Sequence, residues 1–299
     1  MAKRNAVPVP DSLIDTYARY RWDDFTGFLN AYDAASSVIQ TKQDYRDIAY
    51  EYLVSAANEG AIYIEMFTSP DHAAAIGIDY LQMNAGIAQG IDDAERETGI
   101  IGRMVATCVR HLGPERALSI ATMVARNPHP YVVGFGMGGD ETQFDPQDFA
   151  AAFNLAFDSG LPCTVHAGEV AGPTSVQNAL DALPVSRIGH GVRAIEDMRL
   201  VERLVDEGII LEICPGSNLA LGLYETPATH PLPSLMSAGC LITLGSDDPP
   251  FFGTSIGAEY TRTHTEFGLS DADLLQITRN AIDAAFVDEE TKIKLRERL

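Results

Sequence analysis

The stretch Pro162-Cys163-Thr164-Val165-His166-Ala167-Gly168-Glu169 passes from a short apolar run into a histidine, a glycine and a glutamate. An apolar run without polar alternation is the pattern of a strand buried on both faces of a parallel sheet. The pattern recurs at 61–67 (AIYIEMF), 103–109 (RMVATCV), 131–137 (YVVGFGM), 185–189 (VSRIG), 209–214 (IILEIC) and 241–245 (LITLG). Helix-like segments lie between the runs at 80–96, 114–126, 146–157 and 195–207. The last carries Met198, Leu200, Val201, Leu204 and Val205 on one stripe and ends at Gly208. Alternating strand and helix is the mark of a parallel α/β protein, either an open doubly wound sheet or an eight-stranded (β/α) barrel of typically ~250 residues.

The residues just past each run separate these two architectures. A dinucleotide-binding sheet carries a G-x-G-x-x-G turn that opens a helix, whereas the glycines at 134, 136, 138 and 139 lie partly inside a run and precede Asp140-Glu141. Polar, reactive residues instead stand at the C-terminal ends of several runs: Asp140, His166, Glu169, His190, Asp247 and Asp248. A (β/α)8 barrel gathers its active site at that face. The fold expected is therefore a TIM-type barrel, one domain over residues 1–299. Only seven barrel strands are found. Residues 11–20 and 42–58 both read as helices, so the missing first strand is expected upstream of Met1.

Composition narrows the function. The chain has 299 residues, 46% hydrophobic and 21% charged, with 42 acidic against 21 basic side chains and a formal net charge of -21. That charge repels a phosphate backbone, which argues against nucleic acid as a partner. No run approaches the roughly 18 apolar residues of a membrane span, and the N-terminus lacks a signal-peptide core. The four cysteines read as buried thiols of a reducing compartment. A cytoplasmic protein is expected. The only lysines, Lys3, Lys42, Lys292 and Lys294, lie away from every strand end. This excludes a Schiff-base lysine and a metal pair bridged by a modified lysine.

Three segments carry the chemistry: 164–169 (TVHAGE), 187–191 (RIGHG) and 246–250 (SDDPP). A histidine, an aspartate and a neighbouring glutamate form an N/O donor set suited to zinc or another divalent metal. A second histidine beside them can orient or deprotonate water. Taken singly, each has an ordinary structural reading, since Asp-Asp-Pro often does no more than cap a turn. Their convergence on one face gives them weight.

Together with 212–218 (EICPGSN) and 137–141 (MGGDE), these segments resemble the signature motifs of the adenosine deaminase family of amidohydrolase barrels, from about Phe25 to the C-terminus. The resemblance implies that His166 and Asp247 are zinc ligands and that Glu169 is the acid that protonates purine N1. It implies that His190 assists the attacking water, that Asp248 bonds purine N7, and that the backbone of Gly139 contacts N3. Physically, protonation at N1 drains electron density from C6, which neutral water otherwise attacks poorly. The family's first-strand His-x-His pair, which supplies two further zinc ligands, has no counterpart here.

The function expected is zinc-dependent hydrolytic deamination of adenosine and deoxyadenosine, one Zn2+ per chain, on a small purine nucleoside and with no nucleic-acid or membrane partner. Adenine or aminodeoxyfutalosine are alternative substrates within the same chemistry. A metal-poor, non-catalytic purine-binding barrel is the alternative outside it, because catalytic zinc usually takes three protein ligands. Arg193 and Phe251-Phe252 are further residues able to shape the pocket.

Overall fold

All seven runs form strands in the computed structural model, which describes residues 1–15 and 19–299. They are β1 (Tyr63–Thr68), β2 (Ile101–Val109), β3 (Val132–Gly138), β4 (Cys163–Ala167), β5 (Val185–His190), β6 (Ile210–Ile213) and β7 (Leu241–Leu244). Each pairs in parallel with its sequence neighbours, giving one sheet in the order β1 to β7. Parallel neighbours require a crossover between them, and helices on the outer face supply it. This is a TIM-type barrel that lacks one strand of eight, as expected, with β1 and β7 at the two edges among the described residues.

The core explains why the runs show no polar alternation. Met104, Ala106 and Cys108 of β2, and Phe135 and Met137 of β3, are inaccessible to solvent, and so are the helix residues Ile120, Phe153 and Leu204 or nearly so. All belong to a single apolar cluster. The four cysteines are free thiols within buried positions.

The helices depart from expectation in instructive ways. The helix expected at 11–20 is instead a short 3-10 turn, Asp11–Leu13, followed by an antiparallel bridge between Ile14 and Tyr20. Residues 16–18 of that expected helix lie outside the described residues. Pro8 and Pro10 precede the turn and favour extended backbone before them. The segment 195–207 divides into a 3-10 turn, Val192–Glu196, and a helix, Met198–Asp206, because the Asp197 side chain caps the second piece through the Arg199 amide. Leu200, Val201 and Leu204 are buried as the stripe requires, but Met198 is 54% and Val205 36% exposed. The stripe is narrower than the sequence pattern suggested.

Candidate active site

Register brings the reactive residues together. β4 and β5 pair His166 with Gly189 and Ala167 with His190, so the two histidines end adjacent strands. β7 pairs with β6, and the Gly245 amide extends the ladder to Ile213 O before the chain turns out at Ser246 and Asp247. The imidazoles of His166 and His190 meet edge to face with centroids 4.9 Å apart. His190 Nε2 lies 3.6 Å from Glu169 Oε1 and 3.8 Å from Asp247 Oδ2. His166, Glu169, His190, Asp247, Asp248 and Gly139 all line one cavity of about 1440 Å³. The two expected metal ligands and the four expected catalytic or purine-contacting residues are therefore in one place.

The backbone is forced to make this arrangement. His190 and Asp247 have φ of 59° and 54°, left-handed values that a side chain seldom adopts and that persist where the surrounding structure imposes them. Gly189 gives room: a Cβ there would stand 2.8 Å from His166 Nδ1. Gly139 has φ of 100°, and a Cβ on it would approach His111 Nδ1 to 2.9 Å. The glycines in the two motifs are thus close-approach positions.

The electrostatics arise from burial. Glu169 is 4% exposed, and that burial, with Asp247 adding to it against the pull of His190, pushes its carboxyl well above the ordinary range. Burial raises Asp248 too, reinforced by Asp247 and then Glu169. At His190 burial opposes the charged form, but Glu169 and Asp247 outweigh it and the net shift is upward. His166 moves down, through burial and then the neighbouring His190.

Two supporting residues were not singled out from the sequence. Asp140, expected at the site, instead closes its own turn through the Thr142 amide (3.0 Å) and hydroxyl (2.7 Å). The adjacent Glu141 does more. Its buried carboxylate accepts the amide of Gly168 and those of Glu169 (3.0 Å), Val170 (2.9 Å) and Ala171 (2.9 Å), plus the Ser175 hydroxyl (2.6 Å). One acidic side chain thus holds the loop that carries Glu169. Buried Arg110 donates to Gln143 O, Phe144 O and His166 O, tying the β3 and β4 loops together. The only signal for either in the sequence was a charged residue beside a strand end.

Phe251 and Phe252 line the cavity, as expected. They belong to an aromatic cluster in which Phe251 stacks on Tyr20 at 4.3 Å and Phe28 lies 5.0 Å from Phe252. Arg193 does not reach the cavity. It pairs with Glu196 at 2.7 Å and donates to Val170 O at 2.7 Å.

The sequence pattern described as "Adenosine deaminase" matches residues 1–299. The chain belongs to the adenosine deaminase family. Family membership makes it a hydrolytic deaminase of amidohydrolase type. It is 50% identical over 280 residues to an adenine deaminase of Chelativorans sp. (strain BNC1), which covers 94% of this chain and 86% of that protein. The crystal structure of adenine deaminase from Arthrobacter aurescens superposes with a TM-score of 0.93 at 29% identity, over 99% of this chain and 91% of that one. A Burkholderia ambifaria amidohydrolase with bound Zn gives a TM-score of 0.90 at 28% identity, over 99% and 83%.

These relatives overturn adenosine as the expected substrate. The contacts that the resemblance implies, to N1, C6, N7 and N3, are to atoms every 6-aminopurine shares, so they do not distinguish a free base from a nucleoside. The adenine alternative fits the relatives' names.

The donor set fits a divalent transition metal. His166 Nδ1 is buried without a hydrogen-bond partner. His190, Cys214 and Asp247 offer a nitrogen, a sulfur and an oxygen within 4.8 Å of one another. Imidazole and carboxylate in such a place are ordinary zinc donors.

Proposed function

We propose that the protein deaminates adenine hydrolytically, giving hypoxanthine and ammonia, as one barrel domain over residues 1–299 in the cytoplasm. The observation that carries the substrate is the 50% identity to an adenine deaminase across nearly the whole chain. Glu169, His190 and Asp248, converging in one cavity with His166 and Asp247, support the chemistry.

In this reading His166 and Asp247 hold the metal, which we take to be zinc. When bound, it supplies Lewis acidity that brings the pKa of water from 15.7 towards about 7. Glu169 lies in a buried place that favours its protonated form, and it donates that proton to ring nitrogen N1 as C6 is attacked. Asp248 faces N7, an acceptor, and a protonated carboxyl there completes the hydrogen bond. The Gly139 backbone, kept bare of a Cβ, allows the purine's N3 edge to approach. His190 orients the attacking water. Water adds at C6 and gives up both its protons, one to the N6 amino group, which leaves as ammonia when the C6–N6 bond breaks, and one to the Glu169 carboxylate, which is restored. Phe251 and Phe252, held in an aromatic cluster, line the cavity next to Asp248.

The test is direct. Protein supplied with zinc is incubated with adenine or adenosine, and hypoxanthine, inosine and ammonia are quantified. Adenine should be preferred by at least roughly 100-fold, the scale on which a pocket rejects a misfitting group. Equal or faster deamination of adenosine would overturn the assignment.

A further inference from the structure

Behind His190 runs a chain of buried hydrogen bonds whose first member has no choice of role. The Leu232 backbone amide can only donate, and it meets His230 Nδ1 at 3.2 Å. His230 Nδ1 is therefore an acceptor. The ring is 3% exposed, and burial, then the nearby His190, lowers its pKa to about 4, so it is neutral at neutral pH. A neutral imidazole carries one proton, and with Nδ1 accepting, that proton is on Nε2. Nε2 faces Asn218 Oδ1 at 3.1 Å and donates to it. That bond orients the amide, oxygen towards His230 and NH2 towards His190. Asn218 Nδ2 then donates to His190 Nδ1 at 3.2 Å.

The logic propagates from a fixed donor. Had the Asn218 amide been turned the other way, two donors would face each other at one end of the chain. Nothing in the surroundings relaxes it. Asn218 is wholly buried, in the short helix Pro215–Ala220, and the Gly216 amide of that helix is held by buried Glu259 at 2.8 Å. Tyr224 and Phe267 flank the His230 ring edge-on, at 4.8 and 5.3 Å between centroids.

We propose that Asn218 and His230 are positioning residues that lock His190 in the Nε2–H tautomer. His190 Nε2 then presents a donor, rather than a lone pair, to the space bounded by Glu169 Oε1 at 3.6 Å and Asp247 Oδ2 at 3.8 Å, where an attacking water would stand. The locked tautomer has two consequences. Nε2–H removes His190 from the metal's ligands, although its nitrogen falls among the three clustered donors, and leaves that role to His166 and Asp247. It also makes His190 a group that steers the attacking water by donating to its oxygen, so neutral His190 is not the base that takes its proton. These consequences rest on the deaminase reading; the tautomer itself does not.

The test is the ring spectrum of His190 in 15N-histidine-labelled, zinc-supplemented protein, assigned by its loss in His190→Gln. Wild type should show protonated Nε2 and bare Nδ1. Asn218→Asp places acceptors on both sides and should shift His190 to Nδ1–H. His230→Phe removes the donor that orients the amide and should give a mixture of tautomers, while His230→Gln restores a donor and should return the wild-type pattern. The His230 pair carries the test if Asn218→Asp does not fold. Turnover should fall about 10- to 100-fold in Asn218→Asp with KM nearly unchanged, as for loss of a group that orients a site histidine. Wild-type His190 protonated at Nδ1, or a tautomer indifferent to His230→Phe, would overturn the proposal. A tautomer that shifts as expected in a protein that does not deaminate adenine would leave the relay standing and remove the proposed function.

Discussion

Two clusters of charged residues line the same cavity, and they are built on opposite terms. In the first, Arg187 of β5 lies between Glu65 of β1 at 2.7 Å and Glu212 of β6 at 2.8 Å, with its guanidinium 3.4 Å from the Phe286 ring centre. The carboxylate oxygens left over are also met. Tyr63 and the Phe286 amide donate to Glu65, and Thr164 donates to Glu212. In the second, three residues further along β5, Glu169 and Asp247 stand 3.6 and 3.8 Å from His190, with His166 and Asp248 lining the same cavity, and no arginine or lysine pairs with these acids among the described residues. A satisfied cluster holds strands together. An unsatisfied one takes up protons or a cation, which is what a reacting site requires.

The contrast predicts that the two clusters fail differently. Glu169→Gln keeps the size of the side chain and removes its transferable proton, so adenine turnover should fall on the order of 10²- to 10⁴-fold, the usual worth of a general acid. Its thermal unfolding midpoint should barely move. Arg187→Met strands two buried carboxylates and should cost about 3–5 kcal/mol in denaturant unfolding. Turnover per folded molecule should stay within a few-fold of wild type. Equal loss of stability in both variants would dissolve the distinction.

Glu141 sharpens it, since it is a fully satisfied acid that serves the unsatisfied cluster. Glu141→Gln turns an acceptor into a donor facing backbone amides, at a cost of about 1–3 kcal/mol for the groups left unpaired. The Glu169 loop should loosen with it, seen as faster amide exchange over residues 168–171 and a smaller loss of turnover than in Glu169→Gln.

The smallest effect belongs to a satisfied pair of which only Arg4 reaches the surface. Burial works against the charged form of Asp44, but Arg4, Thr41, Asn5 and the Gln40 amide bond it and hold its pKa down to about 2. A depressed carboxylate contributes stability that is complete above its unfolded value near 4 and is lost as pH falls through about 2. Protease cleavage before residue 10 should therefore increase below about pH 3, and Asp44→Asn should be cleaved equally at pH 3 and pH 6. Arg4 is half exposed, so solvent screening keeps the change small.

The satisfied parts of the molecule and its reactive face were not equally legible. Strands such as 103–109 announced themselves because burial on both faces leaves an apolar run. His166, Glu169, His190, Asp247 and Asp248 were legible because the barrel topology turns a position at the end of a strand into a place on one face. The partners of Arg187 were not, since Glu65 lies 122 residues away and no local pattern joins them. Nor was the service of Glu141, Asn218 and His230, whose value lies in what they hold. The turn at Asp11–Leu13 was misread as a helix because its acidic start looks like a cap. Adenine stood only as an alternative to adenosine, because the contacts that the motifs' resemblance implies are to purine atoms both molecules share.

Ammonia released from adenine per folded molecule, measured for Glu169→Gln beside Arg187→Met, tests the distinction most directly. Glu169→Gln should be folded and nearly inactive, and Arg187→Met should be less stable yet active wherever it is folded. Substantial ammonia from Glu169→Gln, or its loss from the folded fraction of Arg187→Met, would contradict the division of the cavity into a structural cluster and a reacting one.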